Sequence, residues 1–219
     1  MKQSRMPDEI IVVNDGCSDG SDILVKELNH PLIRIVHQKN SGVSSARNTG
    51  IHASSNEWIA LLDADDLWHK DYLKEMEQLA SNYSECSVLA CKYLVRDFQG
   101  NLSSIILKKF PFTSSTGVLK NYFEVASVSN PPICSSNVTF KKEAVVQIGL
   151  FPTGVESGED LLTWAKLACT SRIAYSQKEL STFVQNEAHS YSSIPNRLPP
   201  VNDIVGSELI NLSKSYFNL

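Results

Sequence analysis

Glu9-Ile10-Ile11-Val12-Val13-Asn14 is a short apolar run that stops at a polar turn, Asp15-Gly16-Cys17-Ser18-Asp19-Gly20-Ser21. The same plan returns where Glu57-Trp58-Ile59-Ala60-Leu61-Leu62 stops at Asp63-Ala64-Asp65-Asp66. Runs of this length, rich in β-branched residues and bounded by Gly, Ser and Asp, have the pattern of buried strands. A third run at 33–37 reads the same way. Between the strands lie helical patterns at about 22–28, at 42–53 behind Ser41 and Gly42, and at 70–82, where Tyr72, Leu73, Met76 and Leu79 recur on one face. Strands alternating with helices predict an α/β domain with a parallel sheet covered by helices.

Past residue 86 the alternation is less regular. Strands are predicted at 87–95, 102–107, 136–141 and 173–175, and helices at 118–125, 142–148, 160–168 and 200–212. The last helix carries Val201, Ile204, Val205, Leu209 and Leu212 on one side. No repeat or linker divides the chain, so residues 1–219 read as a single domain. The polar stub before the first buried strand leads us to expect an earlier strand–helix unit of about 20 to 30 residues, so that the domain is N-terminally truncated as written. On that expectation the 219 residues alone would be weakly active and prone to aggregate through an uncovered sheet edge.

With 42% hydrophobic and 20% charged residues the chain has the composition of a globular protein. A net charge of -4 offers no basic footprint for a nucleic-acid backbone, which excludes that class of partner. Cys17, Cys86, Cys91, Cys134 and Cys169 form an odd, scattered set without a C-x-x-C pair, as in a protein of the reducing cytoplasm. No apolar run reaches the length of a membrane span. Peripheral attachment at the inner face of a membrane and assembly into a homodimer are both compatible with this reading.

In open α/β sheets, ligands bind beyond the carboxyl ends of the strands, where loops and helix N-termini converge. Asp15 and the Asp63–Asp66 turn fall there. Three acidic side chains within four residues repel one another unless solvent or a cation offsets their charge. Mg²⁺ and Mn²⁺ take oxygen ligands, keep several waters and are completed by substrate phosphates, so one or two carboxylates suffice. The plainer alternative is a solvated acidic turn capping the next helix. Asp160, after Gly158 and Glu159, stands at the head of an apolar helix, where the plain role is N-capping and the functional one a distant general base.

Four blocks then occur in order: residues 11–21, already quoted; Asn40-Ser41-Gly42-Val43-Ser44-Ser45-Ala46-Arg47-Asn48-Thr49-Gly50-Ile51; Leu62-Asp63-Ala64-Asp65-Asp66; and Gly158-Glu159-Asp160-Leu161-Leu162-Thr163-Trp164. Together they resemble the successive signatures of family 2 inverting glycosyltransferases with the GT-A fold, over about residues 8–190, which implies a Rossmann-like, mixed and mainly parallel sheet flanked by helices. The resemblance implies a nucleotide-sugar-binding half at about 1–95 and an acceptor-binding half with a C-terminal helix at about 96–219. It makes Asp15 the carboxylate that reads the nucleotide base, and Arg47 a cation near base and diphosphate. Asp63 and Asp65 become the D-x-D pair, with Asp65 on the metal and Asp63 on the donor ribose or sugar as well as near the metal. Asp66 is left as a helix cap. Asp160 resembles the general base with Glu159 beside it, and His189, in Ala188-His189-Ser190-Tyr191-Ser192, a late element that approaches the metal.

The implied reaction transfers a sugar, with inversion, from a nucleotide-diphosphate sugar, UDP-linked first of all, to a hydroxyl of a saccharide or lipid-linked saccharide. Mn²⁺ or Mg²⁺ assists, and the setting is bacterial polysaccharide or glycoconjugate synthesis. The chain departs from the pattern in having no opening strand with a Pro-x-Tyr-Asn-like end, and that segment lines the nucleotide pocket in the family. A non-catalytic carbohydrate- or partner-binding relative is therefore the competing reading. A nucleotidyltransferase is disfavoured, because no Gly-rich basic phosphate loop is present near the start.

Overall fold

The computed structural model describes residues 2–155, 157–185 and 204–216. The described residues form two sheets. β1 (Ile10–Asn14) and β2 (Ile33–His37) run parallel with Ile10 opposite Ile33 and Asn14 opposite His37, joined by α1 (Ser21–Glu27). The second sheet has the order β3 (Trp58–Ala60), β8 (Val138–Lys141), β5 (Val88–Arg96), β9 (Ile173–Val184), β4 (Leu67–Trp68). Short strands β6 (Leu102–Ser104) and β7 (Thr116–Val118) pair with β5 and β9. β5 and β9 are parallel, whereas β8, β4, β6 and β7 join antiparallel, so the sheet is mixed.

Helices α2 (Val43–Ala53), α3 (Tyr72–Asn82), α4 (Tyr122–Val128), α5 (Lys142–Gln147), α6 (Glu159–Thr170) and α7 (Ile204–Tyr216) complete the fold. α2 joins the two sheets. Its Gly50 lets the helix close on Val13 of β1, since an added Cβ would already touch that side chain at 3.4 Å. The next residue, Ile51, is 1% exposed within the main core beside Phe140, Phe151, Trp164 and Tyr175. The end of α2 is tied down twice. The Glu9 carboxylate accepts bonds from Ser54, Ser55 and Asn56, and Lys142 Nζ donates to the carbonyls of His52 and Ser54.

β9 runs to Val184, far beyond the predicted 173–175. Its middle, Gln177-Lys178-Glu179, carries no apolar signal, and the register against β5 shifts around Lys92 as in a bulge. The polar interruption is satisfied by a buried carboxylate: Glu75 of α3 accepts from Ser176 Oγ at 2.7 Å and Lys178 Nζ at 2.6 Å. The expected helix at 118–125 begins four residues later, because Thr116–Val118 pairs with β9 instead. β4 and β7 are two- and three-residue edges that exist only because β9 offers them hydrogen bonds, which no local pattern encodes.

Candidate active site

The site grows from the ends of β1 and β3 and the start of α6. After β1 the chain turns at Gly16 (φ +80°), where an added Cβ would lie 2.9 Å from the backbone nitrogen of Asn40. Only glycine fits so close to the neighbouring loop. Asp15 closes that junction. Its Oδ1 accepts from Gln38 Nε2 at 2.7 Å and from the Ser41 N–H at 2.9 Å, and its Oδ2 accepts from the Gly42 N–H at 2.9 Å. The carboxylate expected to read a base therefore also organises the loop that delivers α2.

Arg47 and Asn48, one turn into α2, face the rest of the site. The Arg47 side chain is 11% exposed, so it is not the surface ion pair that a helical arginine usually makes. Its Nη2 donates to both oxygens of Asp63 at 3.1 Å and its Nη1 to Glu159 Oε1 at 3.1 Å. The guanidinium carbon stands 5.3 Å from the centre of the Phe151 ring. Asn48 in turn clamps the Phe151 backbone, donating to its carbonyl and accepting from its N–H, both at 2.9 Å. Phe151 then meets Trp164 of α6 edge-on at 5.6 Å.

Beyond β3 the chain enters the acidic turn, in which the Asp66 N–H donates to the Asp63 carbonyl at 3.1 Å. The Asp63 N–H is held by Ser136 Oγ at 3.0 Å, and the Ser136 carbonyl accepts from Trp68 Nε1 at 2.7 Å. Asp66 is not the helix cap that its position suggests. It is 6% exposed, its Oδ1 accepts from the Val184 N–H at 2.8 Å, and Ser136 bonds its side chain. The residue at the cap of α3 is Asp71. Burial raises the Asp66 carboxyl above the ordinary range, the Ser136 and Val184 bonds oppose this, and the charges of Asp63 and Asp65 add to it.

α6 opens at Gly158 in the left-handed region (φ +83°) without a side-chain cap. Asp160 thus lies inside the first turn, not at the cap, and its Oδ1 accepts from the Leu161 N–H at 2.7 Å. Burial raises its pKa and the Glu159 charge adds to that; the Leu161 bond and Arg47 lower it, and Asp63 contributes a further rise. Asp63 and Asp160 are therefore in electrostatic range of each other. Burial pushes the half-buried Cys134 thiol up, and the charges of Asp66, Asp160 and Asp63 add to that shift. The strand-end carboxylates and the head of α6 share one region.

Arg47 joins Asp63 to Glu159, Asp160 follows Glu159 and Asp65 lies in the turn beside Asp63, while Asp15 holds the loop that leads into α2. His189 lies outside the described residues. Among the described residues no three His, Cys, Asp or Glu side chains converge as a ready-made metal cage. The donors that the acidic turn offers are carboxylate oxygens, the ligand type of Mg²⁺ and Mn²⁺, whose coordination water and phosphate can complete.

No sequence pattern marks Ser136, Asn137, Phe151, Tyr93 or Tyr122 as neighbours of these carboxylates. Asn137, fully buried, donates to the carbonyls of Cys91 and Pro132 and accepts from the Cys134 N–H, fixing the turn that presents Ser136. Burial and the Asp160 charge raise the Tyr122 hydroxyl, and burial, Cys134 and then the Asp160 charge raise that of Tyr93. A run of small polar residues, Ser135-Ser136-Asn137, directly before an apolar strand was the available signal. Ser136→Ala should destabilise the fold by about 1–3 kcal/mol, because the Asp63 N–H and the buried Asp66 carboxyl each lose a partner. Thermal denaturation checks this, and an unchanged midpoint would show the hub to be dispensable.

The sequence pattern of glycosyl transferase family 2 matches residues 1–143. An uncharacterized glycosyltransferase of Rickettsia bellii is 31% identical over 187 residues, which are 83% of this chain and 25% of the relative. The poly-beta-1,6-N-acetyl-D-glucosamine synthase of Staphylococcus aureus (strain COL) is 28% identical over 171 residues, 76% of this chain and 40% of the synthase. The chain thus spans about a quarter of the length of the first of these relatives and two fifths of the second. In fold it is similar to S. aureus TarS 1-349 in complex with UDP-GlcNAc, with a TM-score of 0.73 at 20% identity over 98% of this chain and 66% of that one. The ordered blocks, the fold they produce and the family match agree that this chain belongs to glycosyl transferase family 2.

Proposed function

We propose that the chain transfers a sugar from a nucleotide-diphosphate sugar, UDP-linked, to a hydroxyl of a saccharide or lipid-linked saccharide acceptor, with inversion at the anomeric carbon, in bacterial polysaccharide or glycoconjugate synthesis. The observation that carries this reading is the convergence of Asp63, Arg47 and Glu159, with Asp160 one residue on, beyond the ends of β1 and β3. A solved structure of the same fold in complex with UDP-GlcNAc supports the donor class. Among the described residues no helix is long and apolar enough to cross a membrane. The reading places the reaction on the cytoplasmic side, with the acceptor arriving at the membrane face.

In this mechanism Asp65 is the residue that would hold a divalent cation, with Asp63 beside it. When bound, the cation supplies charge stabilisation to the departing diphosphate. Asp160 accepts the proton of the attacking hydroxyl, and its raised pKa makes it a stronger base than an exposed Asp. Glu159 does not share that work, because its carboxylate is spent on Arg47. Phe151 and Trp164 keep the floor beneath Arg47 and α6 apolar.

UDP with Mn²⁺ should raise the melting temperature of the chain, and Asp65→Ala should abolish that rise without lowering the unliganded midpoint by more than a few degrees. Mass-spectrometric screening of nucleotide sugars then identifies the donor. Protection by UDP with no transfer to any acceptor would favour the carbohydrate- or partner-binding relative. An absence of protection would overturn the donor assignment.

A further inference from the structure

We propose that Arg47 is a positioning residue that brackets Asp63 and Glu159, and so sets the distance from the strand-end carboxylates to the first turn of α6, instead of binding the donor diphosphate itself. The inference rests on the proposed reaction for its consequence but on geometry for its content. Both terminal amino groups are engaged by carboxylates at 3.1 Å, one of them by both oxygens of Asp63. Nε is buried without a partner, so that edge is not presented to a ligand. The face of the guanidinium lies over Phe151, whose backbone is clamped by the adjacent residue Asn48. Four points of contact therefore fix the plane.

Electrostatics point the same way. The positive charge of the guanidinium is already balanced by the two carboxylates that it bridges, so it has none in surplus for a diphosphate. The bracket acts on the two elements that must be registered. Asp63 is anchored from below by Ser136 Oγ, so a pull on Asp63 is a pull on the β3 turn. Glu159 is the first residue of α6 and its side chain is 12% exposed, so holding it orients the turn that carries Asp160. A planar, forked side chain spans two carboxylates, whereas the compact ammonium of lysine does not.

The test uses Arg47→Lys, Glu159→Ala and the double variant, with UDP and Mn²⁺ as the binding probe. Arg47→Lys keeps a cation against Asp63 but releases Glu159, Glu159→Ala leaves Arg47 paired with Asp63, and the double variant removes the released carboxylate as well. Expected are UDP dissociation constants within about threefold of the parent in all three variants. With the donor found by screening, kcat should fall at least about tenfold in each single variant, and no further in the double variant than in the worse single one, as for two ends of one linkage. A loss of UDP affinity of about tenfold or more in Arg47→Lys, or kcat losses that multiply, would overturn the assignment. If the parent turns over no nucleotide sugar, the proposed function fails on its own. Hydrogen exchange at residues 159–165 then decides: amides exchanging about tenfold faster in Glu159→Ala support the bracket, and unchanged exchange refutes it.

Discussion

Replacing Asp160 by Asn is expected to cut sugar transfer by about 10²- to 10⁴-fold, the usual range for loss of a general base. The variant should nevertheless fold and, at neutral pH, melt above the parent. The amide is isosteric and keeps an oxygen for the Leu161 N–H. What it removes is a charge the fold disfavours, since burial first, and the Glu159 carboxylate second, hold this carboxyl above the ordinary Asp range. A folded-state pKa above the unfolded one means that the native state binds the proton more tightly. The stability from that proton is complete below the unfolded pKa and is lost as pH rises through the folded one. The gain from Asn should be absent in acid and present at neutral pH. Catalysis runs the other way: the base must be unprotonated, so the acid limb of kcat/KM should lie above the ordinary Asp value of about 3.9 and vanish in the variant. Retention of more than about a tenth of the parent rate would remove Asp160 from the mechanism.

Trp164→Ala should cost about 3–5 kcal/mol, a large share of the roughly 5–15 kcal/mol that holds a domain together. Trp164 is fully buried in α6, edge-on to Phe151 and 6.5 Å from Phe140 on β8, so truncation opens a cavity where helix, sheet and the Arg47 floor meet. For a chain of this length the melting temperature should fall by roughly 10 °C or more. Trp164→Phe should be far milder. It keeps the ring-on-ring contact and removes an indole N–H that finds no acceptor among the described residues. Paired thermal melts of the two variants check this, and a midpoint for Trp164→Ala within a degree or two of the parent would show the contact to be slack.

Most of the elements of the first half could be read from the sequence, because each strand there is an apolar run ended by its own turn chemistry. β2 at Ile33–His37 falls where the pattern put it, and β1, α1 and α2 begin or end within one residue of expectation. β9 could not be read. Its length is set by partners on both sides and by the buried Glu75 pair, and a stretch reading Ser-Gln-Lys-Glu has no reason to be a strand without them. The site divides along the same line. Acidic residues at strand and helix ends are visible because their position in an α/β fold is general. That Asp66 turns inward, and that Ser136 holds Asp63 and Asp66 at once, depend on contacts between residues some 70 positions apart. Arg47 was visible as a cation near the site; its commitment to two carboxylates was not.

A crystal of the chain grown with UDP and Mn²⁺ should show the ion in contact with the Asp65 carboxylate and the diphosphate, and the pyrophosphate beyond the ends of β1 and β3. The Asp160 carboxylate should lie across the same cleft, with Arg47 still bound to Asp63 and Glu159. A diphosphate seated elsewhere, such as the groove between α4 and Arg172, or an Asp160 turned away from the bound nucleotide, would contradict this arrangement.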